Sequence, residues 1–219
     1  MDNSVQNLLD IENKIKINLN NYKISVSPKI IAVSKTFKID KIKPLIDHGH
    51  IDFGENKVQE AVEKWSGIKK TKPHIKLHLI GKLQTNKVKF AVKLFDYIHT
   101  VDSEKLAKKI SDESLKLNKK IKILIQVNIG DEPQKSGVNK NELSNLVSYC
   151  LKLKLDVIGL MCIPPESGDS SDYFKEMKDL NHKFNLSDLS MGMSGDYLKA
   201  VENSGTFLRI GSSIFGQRG

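Results

Sequence analysis

Ile30-Ile31-Ala32-Val33-Ser34-Lys35-Thr36-Phe37 is an apolar run that stops on a lysine, with no glycine in the turn that follows. The run is continuous and does not alternate, as expected for a parallel strand covered on both faces. A doubly wound open sheet would ordinarily place a glycine-rich turn directly after this strand. The same unit recurs along the chain. Strand-like runs are read at 30–34, 51–53, 76–80, 97–101, 122–129, 156–163, 189–193 and 207–210. Amphipathic stretches lie between them at 40–47, 56–65, 86–95, 104–117, 140–153, 172–184 and 196–202, and an extra helix at 5–19 precedes the first strand. About eight strand–helix units in 219 residues predict an α/β chain folded as a (β/α)8 barrel, one domain spanning 1–219.

Composition narrows the function. Hydrophobic residues make up 39% and charged residues 28%, ordinary for a globular protein, and no apolar run approaches the length of a membrane span. The N-terminus lacks a signal-peptide pattern, and Cys150 and Cys162 have no CxxC spacing. A cytoplasmic protein with reduced thiols is expected. The net charge of +9 raises the question of nucleic acid, but of 35 basic residues all except Arg209 and Arg218 are lysines, spread over the chain. With aromatics at 6%, the clustered, arginine-rich and aromatic-interleaved footprint of a specific nucleic-acid binder is missing. His48 and His50 have no carboxylate partner at ligand spacing, so no metal is expected.

In a barrel, chemistry sits at the C-terminal ends of the strands. Ile31, Val33 and Lys35 share one face of the first strand; if that face is the interior, desolvation favours the neutral amine that imine formation requires. A lysine snorkelling to solvent is the alternative. The run Leu189–Ser194 places Met193 and Ser194 at the end of the seventh strand, and Arg209-Ile210-Gly211-Ser212 stands at the end of the eighth. Loops after strands seven and eight are the recurrent phosphate site of these barrels, where Gly211 permits close backbone approach and Ser212 adds a hydroxyl. Strand eight closes on strand one, so amine and phosphate cradle share one mouth, which suggests a phosphorylated aldehyde. Arg209, in an apolar run of a lysine-rich chain, would then face a pyridine nitrogen; a buried structural ion pair is the other reading. Arginine cannot take up a proton there, so the ring would be a weak electron sink. Asn56 could hydrogen-bond the ring or cap a helix. His78 reads as a satisfied core histidine and Lys135 as a loop lysine.

Taken together, these segments resemble the pyridoxal phosphate homeostasis proteins, the YggS/PROSC-like group related to the N-terminal barrel of alanine racemase. The segments that carry the likeness are Ala32-Val33-Ser34-Lys35-Thr36, Phe53-Gly54-Glu55-Asn56 with Gln59-Glu60, and His78-Leu79-Ile80-Gly81 with Leu83–Lys87. Gln126–Ile129 with Lys135-Ser136-Gly137, Gly159-Leu160-Met161, Leu189–Ser194 and Arg209–Gly216 continue it in order. Leu77 and Lys82 are mild departures.

The resemblance implies a fold-type III barrel that holds pyridoxal 5′-phosphate as a Schiff base on Lys35. The contact set would be Lys35, Asn56, Met193, Ser194, Arg209, Gly211 and Ser212, with Arg209 at the pyridine nitrogen. It implies buffering or delivery of the cofactor, amino- and keto-acid balance, and apo-enzymes as recipients, without an established reaction. Alanine racemase draws a tyrosine base from a second domain of a partner subunit. This sequence stops at Gly219, and none of its tyrosines stands in a replacement motif, so a monomer without fast catalysis is expected. A low-activity racemase or other cofactor-dependent enzyme is the main alternative. A cofactor-free Schiff-base aldolase and a nucleic-acid binder trail behind it.

Overall fold

The computed structural model describes residues 2–166 and 168–216. Helix α1 (Asn3–Tyr22) opens the chain, capped by Asp2, whose carboxylate accepts the Ser4 N–H at 2.8 Å. The alternating units follow: β1 (Lys29–Val33), α2 (Ile39–His48), β2 (Asp52–Glu55), α3 (Val58–Thr71), β3 (Lys76–Leu79), α4 (Val88–Leu94), β4 (Tyr97–Val101) and α5 (Glu104–Lys116). The second half runs β5 (Lys122–Gln126), α6 (Leu143–Lys152), β6 (Asp156–Met161), α7 (Ser170–Lys183), β7 (Asp188–Ser190), α8 (Tyr197–Glu202), β8 (Phe207–Ile210) and α9 (Ser212–Phe215). Among the described residues the eight strands form one closed parallel barrel in sequential order, as expected for a (β/α)8 fold.

Two apolar layers hold it together. Outward-facing strand residues such as Ile30, Ala32, Phe53 and Leu208 pack with the helices in one continuous core. Inside, Ile31, Tyr97, Leu124, Met161 and Phe207 form a separate cluster that plugs the barrel. Helix α1 buries Val5, Leu8, Ile11 and Ile15 and is tied to the end of the chain, since the Asn7 side-chain amide donates to Ile214 O at 2.9 Å. Among the described residues no helix is long and apolar enough to cross a membrane.

Element boundaries differ from the sequence reading where tertiary contacts decide them. The seventh strand stops at Ser190, not Met193, because Gly192 turns the chain at φ 82°. A Cβ there would lie 2.5 Å from Ala200 Cβ, so the turn needs glycine. Helix α3 begins at Val58, so Asn56 lies before the helix and is not its cap. The fifth strand ends at Gln126, and Val127 bridges to Val138 beyond the polar loop.

The interior also holds imidazoles. His78 and His99 are fully buried within the barrel, and His50 lies near its floor. Burial lowers the pKa of all three below the ordinary 6.5, most strongly at His99. Above pH 6.5 these groups are neutral in both the folded and the unfolded chain. Below it, the unfolded chain takes up protons that the folded chain excludes, so stability falls as the pH drops from 6.5 toward the folded-state values. Each histidine contributes a loss of up to about 1.4 kcal/mol by one pH unit below its unfolded value. Urea midpoints should therefore fall between pH 7.5 and 5.5, before most carboxylates titrate. A flat midpoint over that range would mean that the imidazoles are protonated inside the barrel.

Candidate functional site

At the C-terminal ends of the strands a cavity of about 490 Å3 opens between β1, β2, β7 and β8. Lys35, Asn56, Met193, Ser194, Arg209, Gly211 and Ser212 all line it, so every site residue expected from the sequence falls in one place. Val33, Phe37, Ile80 and Ile163 supply the apolar wall.

The backbone around Lys35 is held from outside the barrel. On β1 the even-numbered residues face the helices, so Ser34 points outward and Lys35 inward. Ser34 Oγ donates to Glu55 Oε1 at 2.8 Å. That carboxylate oxygen also accepts from Trp65 Nε1 and Lys64 Nζ, both at 2.9 Å. Lys64 Nζ donates further to Ser34 O at 2.9 Å and Glu60 Oε1 at 3.1 Å, and Glu60 Oε1 accepts the Thr36 N–H at 2.6 Å. Burial pushes the Glu60 pKa up, but the Thr36 N–H and the Lys64 ammonium outweigh it and leave the net value lowered. Thr36 sits at φ 69°, a conformation uncommon for a β-branched residue, and the Glu60 bond anchors it there. The residues on both sides of Lys35 are thus fixed by one ion-pair cluster. Phe37 rests on Phe215 with ring centroids 5.0 Å apart, which links this turn to α9.

The sequence reading assigns no role to Glu55, Glu60 or Lys64. The signal was present: a carboxylate ends an apolar run, and Glu60 and Lys64 stand four apart on the helix after it.

Arg209 comes from the inward face of β8 and is almost fully buried. Its Nη1 donates to Ser190 Oγ and its Nη2 to Cys162 O, both at 2.7 Å. Among the described residues Arg209 forms no ion pair, and both of these partners are neutral. Burial lowers its pKa, opposed by Cys162 and Asp196 nearby, yet a guanidinium remains charged at neutral pH. Burial pushes the Cys162 thiol up to about 12, so it is protonated. Across the cavity the N–H groups of Gly211 and Ser213 converge on Ser194 Oγ at 3.4 and 3.3 Å.

Two residues weighed in the sequence lie elsewhere. Lys135 pairs with Glu132 at 2.6 Å and donates to Pro164 O at 3.1 Å, outside the cavity lining. His78 is inside the barrel, hydrogen-bonded to Asp52 and His99, as a satisfied core histidine should be. Among the described residues no cluster of three or more His, Cys, Asp or Glu could hold a metal ion.

A parallel barrel with a lysine after strand one and hydroxyl and N–H donors after strands seven and eight defines a class, the barrel of the alanine racemase N-terminal domain. The model of that family matches residues 12–219. The fold agrees with alanine racemase of Clostridium difficile, with a TM-score of 0.69 at 17% identity over 94% of this chain and 57% of that one. Closer relatives narrow the class. The pyridoxal phosphate homeostasis protein of Pasteurella multocida is 35% identical over 97% of both chains, and that of Aquifex aeolicus is 37% identical over 87% of both. PipY of Synechococcus elongatus, whose structure was solved with PLP bound, superposes with a TM-score of 0.81 at 31% identity, covering 92% of this chain and all of that one. The chain belongs to the pyridoxal phosphate homeostasis protein family.

The cluster beside Lys35 gives a stability prediction. Lys64 is 9% exposed and Glu55 fully buried, so Lys64→Met should leave a buried carboxylate without its cation and cost about 3–5 kcal/mol. Lys108→Met, which breaks the solvent-screened pair with Asp112, should leave the urea midpoint nearly unchanged. Urea denaturation compares the two, and equal losses would rule out a special role for the buried pair.

Proposed function

We propose that this chain binds pyridoxal 5′-phosphate in the cavity at the barrel mouth as a Schiff base with Lys35. We further propose that, as a single-domain monomer in the cytoplasm, it buffers the cofactor or delivers it to apo-enzymes. The observation that carries the reading is the donor set. An amine, a buried guanidinium, Ser194, Gly211 and Ser212 meet in one cavity, whose described lining holds no carboxylate, and the N–H groups of Gly211 and Ser213 converge on Ser194 Oγ at its edge. Such a set suits an anionic aldehyde and would repel a cation.

When bound, the cofactor supplies an aldehyde that condenses with an amine and a ring that withdraws electrons. The chain's own residues have separate tasks. Lys35 holds the aldehyde carbon, on a backbone that the Glu55–Lys64–Glu60 cluster keeps in place. Ser194, Ser212 and the Gly211 and Ser213 N–H groups take the phosphate. Arg209 donates to the pyridine nitrogen, Asn56 reaches the ring substituents, and half-exposed Met193 and Ile163 cover the ring. Proton transfer on both faces of a bound amino acid needs two bases. The described cavity lining offers no histidine, tyrosine or carboxylate beside Lys35, which favours a carrier over a racemase.

The purified protein should be yellow, and borohydride should fix a phosphopyridoxyl group on Lys35, located by peptide mass mapping. Lys35→Ala should abolish the adduct, and a colourless protein that yields none would refute the reading. Loaded protein should also reactivate an apo-enzyme of pyridoxal phosphate chemistry while showing no sustained turnover of L- or D-alanine. Steady racemisation lost in Lys35→Ala would instead make the chain an enzyme.

A further inference from the structure

Arg209 is one end of a chain of hydrogen bonds that crosses the barrel interior. Arg209 Nη1 contacts Ser190 Oγ at 2.7 Å, and Ser190 Oγ lies 2.8 Å from His99 Nδ1. His99 Nε2 is 3.0 Å from His78 Nδ1, and His78 Nε2 is 2.9 Å from Asp52 Oδ1. The five residues come from β8, β7, β4, β3 and β2, and all are buried. Aromatic rings wall the middle of the chain. Tyr97 stacks on His78 at 4.2 Å with an interplanar angle of 5°, and Phe207 meets both imidazoles edge-on at 5.5 Å. The far end, Asp52, borders a second cavity of about 380 Å3 between α1 and the barrel floor.

The two ends dictate the direction of every bond between them. A guanidinium only donates, so Ser190 Oγ accepts from Arg209. A carboxylate only accepts, so His78 Nε2 carries the proton toward Asp52. Burial keeps both imidazoles neutral, with one N–H each. His78 Nδ1 is therefore bare and accepts from His99 Nε2–H. His99 Nδ1 is bare in turn and accepts the Ser190 hydroxyl proton. All four donors point the same way, from the cation at the mouth to the anion at the floor, and bonds aligned in this way polarise one another. Arginine does not release its proton, so the chain does not deliver protons to a ligand.

We propose that Ser190, His99, His78 and Asp52 are positioning residues for Arg209, a one-directional relay that aims the guanidinium at the bound pyridine ring and makes its hold on that ring depend on a carboxylate at the opposite end of the barrel. This rests on the reading that a pyridine cofactor occupies the mouth. The direction of the relay can be tested without any cofactor.

In the cofactor-free full chain with 15N-labelled histidine, long-range 1H–15N spectra should show His78 and His99 both as the Nε2–H tautomer, unchanged between pH 7 and 8. An Nδ1–H tautomer or an imidazolium at either position would overturn the relay. In chain loaded with pyridoxal phosphate, Asp52→Asn and Ser190→Ala should each shift the visible absorption band and speed cofactor release about tenfold, the worth of a charge-assisted hydrogen bond. Asp156→Asn, which removes an exposed carboxylate at the start of β6, should match the unsubstituted chain in both. Lower urea midpoints for Asp52→Asn and Ser190→Ala with an unaltered band and release rate would reduce the network to a structural one and overturn the proposal. If instead the unsubstituted chain forms no borohydride adduct on Lys35, the cofactor reading fails, and this inference with it, whatever tautomers are found.

Discussion

Strand β8 pairs with β1 so that Ile31 lies opposite Arg209 and Ala32 opposite Ile210. This closure brings together residues about 175 positions apart in sequence, and every feature of the mouth depends on it. In an open sheet β1 and β8 would be separate edges, with Lys35 and Gly211 on opposite sides of the molecule. Closure also creates an interior. Alternate residues of each strand turn inward, and only a few can be large, so Ile31, Tyr97, Leu124, Met161 and Phe207 fill the middle while Gly54 leaves room against Ile31 and Val33.

The same alternation separates two buried charges. Glu55 faces outward from β2 and meets Lys64, Trp65 and Ser34 between the strand and α3. Arg209 faces inward from β8 and donates to two neutral oxygens, those of Ser190 and Cys162. A buried ion is costly unless paired and hydrogen-bonded. Glu55 meets that condition through Oε1, which takes the Lys64 cation and two further donors while Oε2 has no partner among the described residues, and the cluster holds the backbone on both sides of Lys35. Among the described residues Arg209 donates two hydrogen bonds of the five it can make, which under the proposed function leaves donors for a ligand in the cavity.

The fold was legible because eight apolar runs, each followed by an amphipathic stretch, admit few arrangements, and the missing glycine after Val33 argued against an open sheet. Lys35, Ser194, Arg209, Gly211 and Ser212 were legible because each stands at or just beyond a strand end, where a barrel gathers its chemistry. Boundaries were less so. The seventh strand was read through to Met193 because the turn at Gly192 is set by contact with Ala200, not by neighbouring residues. The side-chain networks were hidden for a similar reason. His78 was correctly read as a core histidine, but its partners Asp52 and His99 lie 26 and 21 residues away on other strands. No local pattern announces a pairing that exists only after the barrel closes.

Under the proposed function, rigidity is distributed in a way that suits holding and exchanging a cofactor better than transforming a substrate. Lys35 is anchored through both sequence neighbours, so its backbone is held at the end of β1. The phosphate donors come from turns: Ser194 lies between β7 and α8, and Gly211 precedes the four-residue α9. An imine is reversible by hydrolysis or by attack of another amine, and half-exposed Ile163 and Met193 leave its approach partly open. Catalysis would need a second proton-transfer group held at the ring with comparable rigidity. The interior holds two imidazoles, His78 and His99, but both nitrogens of each are engaged along the barrel axis, away from the mouth. Under the proposed relay, His78 and His99 are committed to holding Arg209.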